Sequence, residues 1–98
     1  MSNPLLKVTA LRDIGWRCWD PAALNGAEGG WRRSDAADEY DRYMLYVAAG
    51  LQSGTPDHAL VDYLVGIETE HMRLEETSAA RSRAAAAVTA IRLYLGLT

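Results

Sequence analysis

The sequence predicts an all-α fold, a small four-helix bundle-like single domain with a one-turn helix after Trp19. Apolar residues recur at three- and four-residue steps in four separate stretches, the spacing of one helix face. Each proline follows a residue that caps helices, at Asn3-Pro4, Asp20-Pro21 and Thr55-Pro56, the order expected at a helix start. No stretch sustains the apolar–polar alternation of a half-buried strand.

The elements follow in order. Asn3 and Pro4 start a first helix, with Leu5, Val8, Leu11 and Ile14 at helical spacing. Gly15 is expected to weaken or end it. Residues 22–34, AALNGAEGGWRRS, are loop-like, since Asn-Gly and Gly-Gly are turn signals. Ser34 or Asp35 caps a second helix, whose stripe is Tyr40, Tyr43, Met44, Val47, Ala48 and Leu51. Asp35, Asp38 and Glu39 are expected in its first turns, where acids complement the helix dipole. Ser53-Gly54 closes it, and Thr55, Pro56 and Asp57 open a third helix across a tight hairpin. Leu60, Leu64, Ile67 and His71 line one face there, widened by Val61, Val65 and Met72. Thr77 or Ser78 caps a last, alanine-rich helix faced by Ala80, Ala84, Ala87, Val88, Ile91 and Leu95, which ends at Gly96.

Composition narrows the class. The 98 residues are 49% hydrophobic and 23% charged, the balance of an ordinary globular domain. Phenylalanine is absent, and three Trp and five Tyr supply the aromatic bulk, so buried rings bring N–H and O–H groups that need partners. Cys18 is the single cysteine; an intrachain disulfide and a multi-cysteine zinc site are excluded, and a cytoplasmic location is expected. Neither a signal peptide nor a membrane span is legible. Net charge is −3, distributed as +2 over residues 1–33, −3 over 34–53, −5 over 54–76 and +3 over 77–98. Basic ends around an acidic middle imply that the ends fold back against it. Net acidity argues against duplex nucleic acid, which needs a broad basic surface; a nucleic-acid-linked regulator would have to use Arg12, Arg17, Arg32 and Arg33.

Trp16, Trp19, Asp20 and Pro21 raise the choice between the lip of a site and a capping device. Capping accounts for Asp20 and Pro21 together: Asp20 accepts from backbone N–H groups at 22 or 23, and Pro21 pre-sets the turn. Trp16 and Trp19, three apart, share a side and cover one end of the core. Tyr40 is expected to extend its hydroxyl to Asp20 or to backbone, fastening the loop to the bundle.

The order WDPAAL at 19–24, DEYDRYMLYVAAGLQSG at 38–54 and DYLVGIETEHMRL at 62–74 resembles a family of small bacterial helical domains of unknown function. That family's pattern runs Trp-Asp-Pro-Ile-Gly, then Asp-Glu-Tyr-Asp-x-Tyr, then Ile-Glu-x-Glu-x-Met-Gly-Leu. Here Ala22-Ala23 stands for Ile-Gly, Arg73 for the last Gly, and the insert NGAEGGWRR is longer. The resemblance implies a compact helical fold and no established activity.

Chemistry-bearing residues are few. Glu68-x-x-His71 has the spacing of one ligand pair in a di-iron bundle, but a single pair makes no metal site, and no metal or cofactor is expected. No nucleophile elbow or phosphate-binding loop occurs. An enzyme would have to draw on Glu68/His71 and Asp38/Asp41. The leading expectation is instead a non-enzymatic interaction module, whose acidic helical face carries Asp38, Glu39, Tyr40, Asp41, Glu68 and His71. Such a face steers a basic protein, the physical logic by which bacterial immunity proteins neutralise basic nucleases. A second copy, packed on the alanine-rich helix, is the other candidate partner.

Overall fold

The computed structural model describes residues 7–20, 38, 40–72, 75 and 77–97, with His71 described by its backbone alone. Among them are four α-helices and no strand, so the fold is all-α. These are α1 (Val8–Ile14), α2 (Asp41–Gln52), α3 (Asp57–Gly66) and α4 (Ser78–Tyr94). The expected start at Asn3-Pro4, Pro21 with its one-turn helix, the cap at Ser34 or Asp35, and Glu39 lie outside the described residues.

At Gly15 the α-helix gives way, as expected, though to another kind of helical turn rather than to a break. The Gly15 backbone stays right-handed helical (φ −58°, ψ −42°), and the chain runs on through a π-helical turn, Gly15–Trp19. That turn closes with Asp20 N–H donating to the Gly15 carbonyl at 2.8 Å. The helix stops at Asp20, which is left-handed (φ 32°). Gly15 serves packing instead: a Cβ there would stand 3.1 Å from Met44 Cγ and 3.4 Å from Tyr40 Cβ. Missing bulk at Gly15 lets α1 lie close on α2. Val8, expected on the inner face, is exposed, whereas Leu11 and Ile14 are buried.

All six residues of the α2 stripe are buried, from Tyr40 to Leu51. The helix starts at Asp41, with Tyr40 in the capping position, so Asp38 lies in the preceding turn and the first-turn acid is Asp41. Its other end is a Schellman closure. Thr55 N–H donates to the Gly50 carbonyl at 2.8 Å and Gly54 N–H to Leu51 at 3.2 Å, with Gly54 at φ +89°. The start of α3 sits one residue later than the sequence predicts. Pro56 is extended (ψ 146°) and acts as the N-cap, and Asp57 is the first helical residue. A Cβ on Gly50 would lie 2.8 Å from Leu60 Cδ2, so α2 and α3 touch closely at the hairpin.

α3 continues into a second π-helical turn, Ile67–His71, closed by Met72 N–H on the Ile67 carbonyl. Thr77 caps α4 through its side chain, accepting from Ala80 N–H at 3.0 Å. The alanine face of α4 (Ala80, Ala84, Ala87) is buried within the chain together with Val88 and Ile91. Its small side chains let α4 settle on α3 and on the first π turn. A second Schellman closure, with Gly96 at φ +74°, returns Leu97 against the core.

Gly54→Ala tests the hairpin. The site has open space around it, so backbone strain alone acts. The expected cost is about 1 kcal/mol, a fall of roughly 4–8 °C in melting temperature; an unchanged midpoint would remove the glycine from the account.

Candidate functional site

The two π turns face one another, and each delivers one half of a buried polar contact. Trp19, fully buried, donates its indole N–H to Glu68 Oε2 at 3.1 Å. Glu68 is itself 1% exposed, and its other oxygen accepts from the Arg83 guanidinium on α4 at 3.3 Å. A carboxylate survives in a dry core only when paired and hydrogen-bonded; Trp19 and Arg83 supply both. Glu68 is therefore no part of an exposed acidic face. The sequence carried the signal, since Val61, Leu64, Val65 and Glu68 follow the same three- and four-residue steps.

The other face of Trp19 holds an aromatic cluster. Tyr40 lies 4.6 Å from the Trp16 ring centroid and 5.3 Å from Trp19, and Tyr43 meets Trp19 edge-on at 5.7 Å. Tyr40 is fully buried and donates its hydroxyl to Asp20 Oδ1 at 2.8 Å. The expected tie between Tyr40 and Asp20 is thus present. Asp20 also closes the first π turn in the left-handed conformation that Asp tolerates better than most residues.

Asp41 is committed as well. Its carboxylate receives a two-pronged grip from Arg12 on α1, Nε to Oδ1 at 3.1 Å and NH2 to Oδ2 at 2.7 Å. The Asp41 hydrogen bond raises the Arg12 guanidinium above its ordinary value, further helped by the charges of Asp41 and Asp38. Arg92 on α4 grips Asp57 at the start of α3 and is raised by that hydrogen bond in the same way. Arg81 pairs with Asp62 at 2.9 Å. The basic ends do fold against the acidic middle, although Arg81 and Arg83 take acids of α3 and the second π turn while Arg12 takes Asp41.

Glu68 and Tyr40 are thus buried against Trp19, while Asp20 and Asp41 are half-buried and each is held by a partner. Asp38 alone of the sequence-predicted interaction residues is plainly exposed; the His71 side chain, Glu39 and Pro21 lie outside the described residues. Among the described residues no group of three His, Cys, Asp or Glu side chains is close enough to hold a metal ion, and no helix is long and apolar enough to cross a membrane.

A different pair stands out on the outer face. Tyr46 on α2 and Tyr63 on α3 stack with centroids 4.1 Å apart and planes 24° from parallel. Tyr46 is 55% exposed and Leu45 beside it is exposed. Partial burial raises the Tyr63 hydroxyl above its ordinary value, with the neighbouring Tyr43 and Tyr46 adding to the rise and Arg42 opposing it. Shallow depressions lie along α2 and α3, the second of them against Tyr63. One of about 350 Å³ is lined by Asp38, Asp41, Arg42 and Leu45; another of about 230 Å³ lies along Asp62, Tyr63, Gly66 and Glu70. Neither tyrosine was singled out by the sequence. The available hint was position: Tyr46 falls off the buried α2 stripe, between Tyr43 and Val47. No family model, curated protein or solved structure matches the chain.

Substitutions at these contacts test the interior. Asp20→Ala removes the Tyr40 acceptor and places a β-carbon residue without a polar end in a left-handed position; the melting temperature should fall by several degrees, and Tyr40→Phe by about 1 kcal/mol's equivalent. Arg83→Met leaves Glu68 with indole N–H alone and should cost about 1–2 kcal/mol, near the low end because the outer part of Arg83 meets water. In a Glu68→Gln background the same change should cost distinctly less in urea unfolding; equal costs would mean that Arg83 and Glu68 do not act as a pair.

Proposed function

We propose that the protein is a small interaction module that docks a basic protein on the outer face of α2 and α3. The observation that carries this reading is the exposed Tyr46–Tyr63 stack with acids around it. Tyrosine offers a large rigid contact area with a polar tip, and it dominates the centres of protein interfaces. Asp62 and Glu70 are exposed beside Tyr63, in the stretch of chain where net charge is most negative, and Asp38 is exposed ahead of α2, in one depression with Leu45. Acids at a rim steer a cationic partner and reject anionic ones. We read the chain as cytoplasmic and as a relative of the bacterial helical family whose pattern it resembles.

The test is capture on the immobilised protein from lysate of the source organism, at low and moderate salt. One stoichiometric partner is expected, bound more weakly as salt rises. Tyr46→Ser should weaken it by about 2 kcal/mol, roughly thirty-fold in Kd. Asp38→Lys and Glu70→Lys should each weaken it further, while Leu93→Ser, on exposed α4, should leave it unchanged. Capture that survives the face variants, or association with a second copy only, would overturn the reading.

A further inference from the structure

The outer face of α3 carries a feature that bears on which cation a partner presents. We infer that the occupant of the α2–α3 face is an arginine-bearing segment, laid across the tyrosine stack with its guanidinium between Asp62 and Glu70. This rests on the docking reading above and names the chemistry of its partner.

Asp62, Gly66 and Glu70 succeed one another at four-residue steps, so they share one edge of the helix. Gly66 contributes no side chain and forms the floor of the depression beside Tyr63. A methyl group built on Gly66 would lie 3.4 Å from Glu70 Oε2, so that carboxylate leans over the floor. The result is a shallow trough with an aromatic wall on one side and a carboxylate at each end.

A planar guanidinium matches such a trough in three ways. It stacks on a tyrosine ring, donates in two directions within its plane, and sheds its hydration more readily than an ammonium ion. A lysine ammonium is compact and strongly hydrated and gains little from the ring. Asp62 already takes a guanidinium within the chain, its Oδ1 accepting from Arg81 at 2.9 Å. That pair is exposed on both sides, 46% and 60%, and is therefore weak and open to exchange. Charge complementarity points the same way. Of the acids in residues 54–76, Asp57 and Glu68 are held by Arg92 and Arg83, whereas Glu70 is exposed and Asp62 is held only by its exposed pair with Arg81, so these two carboxylates supply the local attraction for a cation.

The experiment uses the full chain, labelled with nitrogen-15, and two synthetic glycine-serine peptides at low salt. One carries several spaced arginines, and its twin carries lysines at the same positions. The arginine peptide should shift amide signals of residues 42–50 and 62–70 and bind roughly three-fold or more tightly than its twin, the factor one exposed cation–π contact supplies. Tyr46→Ala and Glu70→Gln, both at exposed side chains, should each reduce its binding while leaving the melting temperature in place. Equal binding of the twins on this face would overturn the arginine inference and leave the docking reading standing. Shifts confined to other surfaces, or none from either peptide, would overturn the inference too; the capture experiment then decides the docking reading by itself.

Discussion

A single indole N–H sets the terms for this fold. Trp19 is completely buried, and its ring brings more apolar area to the core than any other residue type. Its N–H goes into the core with it. Left without an acceptor there, that group would cost free energy comparable to a lost hydrogen bond. Glu68 meets the need, but a carboxylate imports a charge, and the charge in turn requires Arg83 from α4. One buried donor thereby ties the end of the first helix to the end of the third and the start of the fourth. Both connections fall on π-helical turns, a local geometry that is rare and often marks positions where side-chain placement matters more than helix regularity.

Three further ion pairs repeat the same logic nearer the surface. Arg12 holds Asp41, Arg92 holds Asp57 and Arg81 holds Asp62. Each joins one of the basic ends to the acidic middle, and every cation in them is arginine. The chain contains one lysine, Lys7. Forked donors suit carboxylates at helix starts, where two oxygens face one cation and the helix dipole already favours the anion. The four helices are thus joined two by two, α1 to α2 and α3 to α4, by pairs worth little one at a time, together with the aromatic cluster around Trp19.

How far this was legible in the sequence depended on what each residue had to do. The helices were legible because apolar spacing, Gly54, Thr77 and Gly96 all express local rules, and local rules act within a few residues. Gly15 marks the end of the α-helix as its residue type suggests, but its packing role was illegible because that role is tertiary: it is small to admit Met44 and Tyr40. The α3 start shifted by one because Pro56 occupies the cap with extended backbone while Thr55 belongs to the preceding closure. Glu68 misled more instructively. Its spacing after Val61, Leu64 and Val65 points inward, but a glutamate in an acidic stretch reads as surface, and the partners that offset its charge lie 49 and 15 residues away. The tyrosine stack was illegible for a similar reason: neither Tyr46 nor Tyr63 belongs to a motif, and only the hairpin brings them together.

The carboxylates that looked most reactive in the sequence are the ones the fold consumes. Asp20, Asp41 and Glu68 hold Tyr40, Arg12 and Trp19, so each has a structural task that a substrate or metal would have to displace. Tyr46, Asp38 and Glu70 stand outside that network, at exposed positions. The division has a physical consequence for how the two sets respond to change. Interior residues share partners, so their substitutions couple and report on stability. Outer-face residues touch few interior groups, and changes there leave stability nearly untouched while altering what the surface attracts. A surface that can vary in this way, carried on a core locked by one buried donor and its acceptor, is the arrangement expected when specificity resides in a docking face and the interior serves only to hold two helices at a fixed spacing.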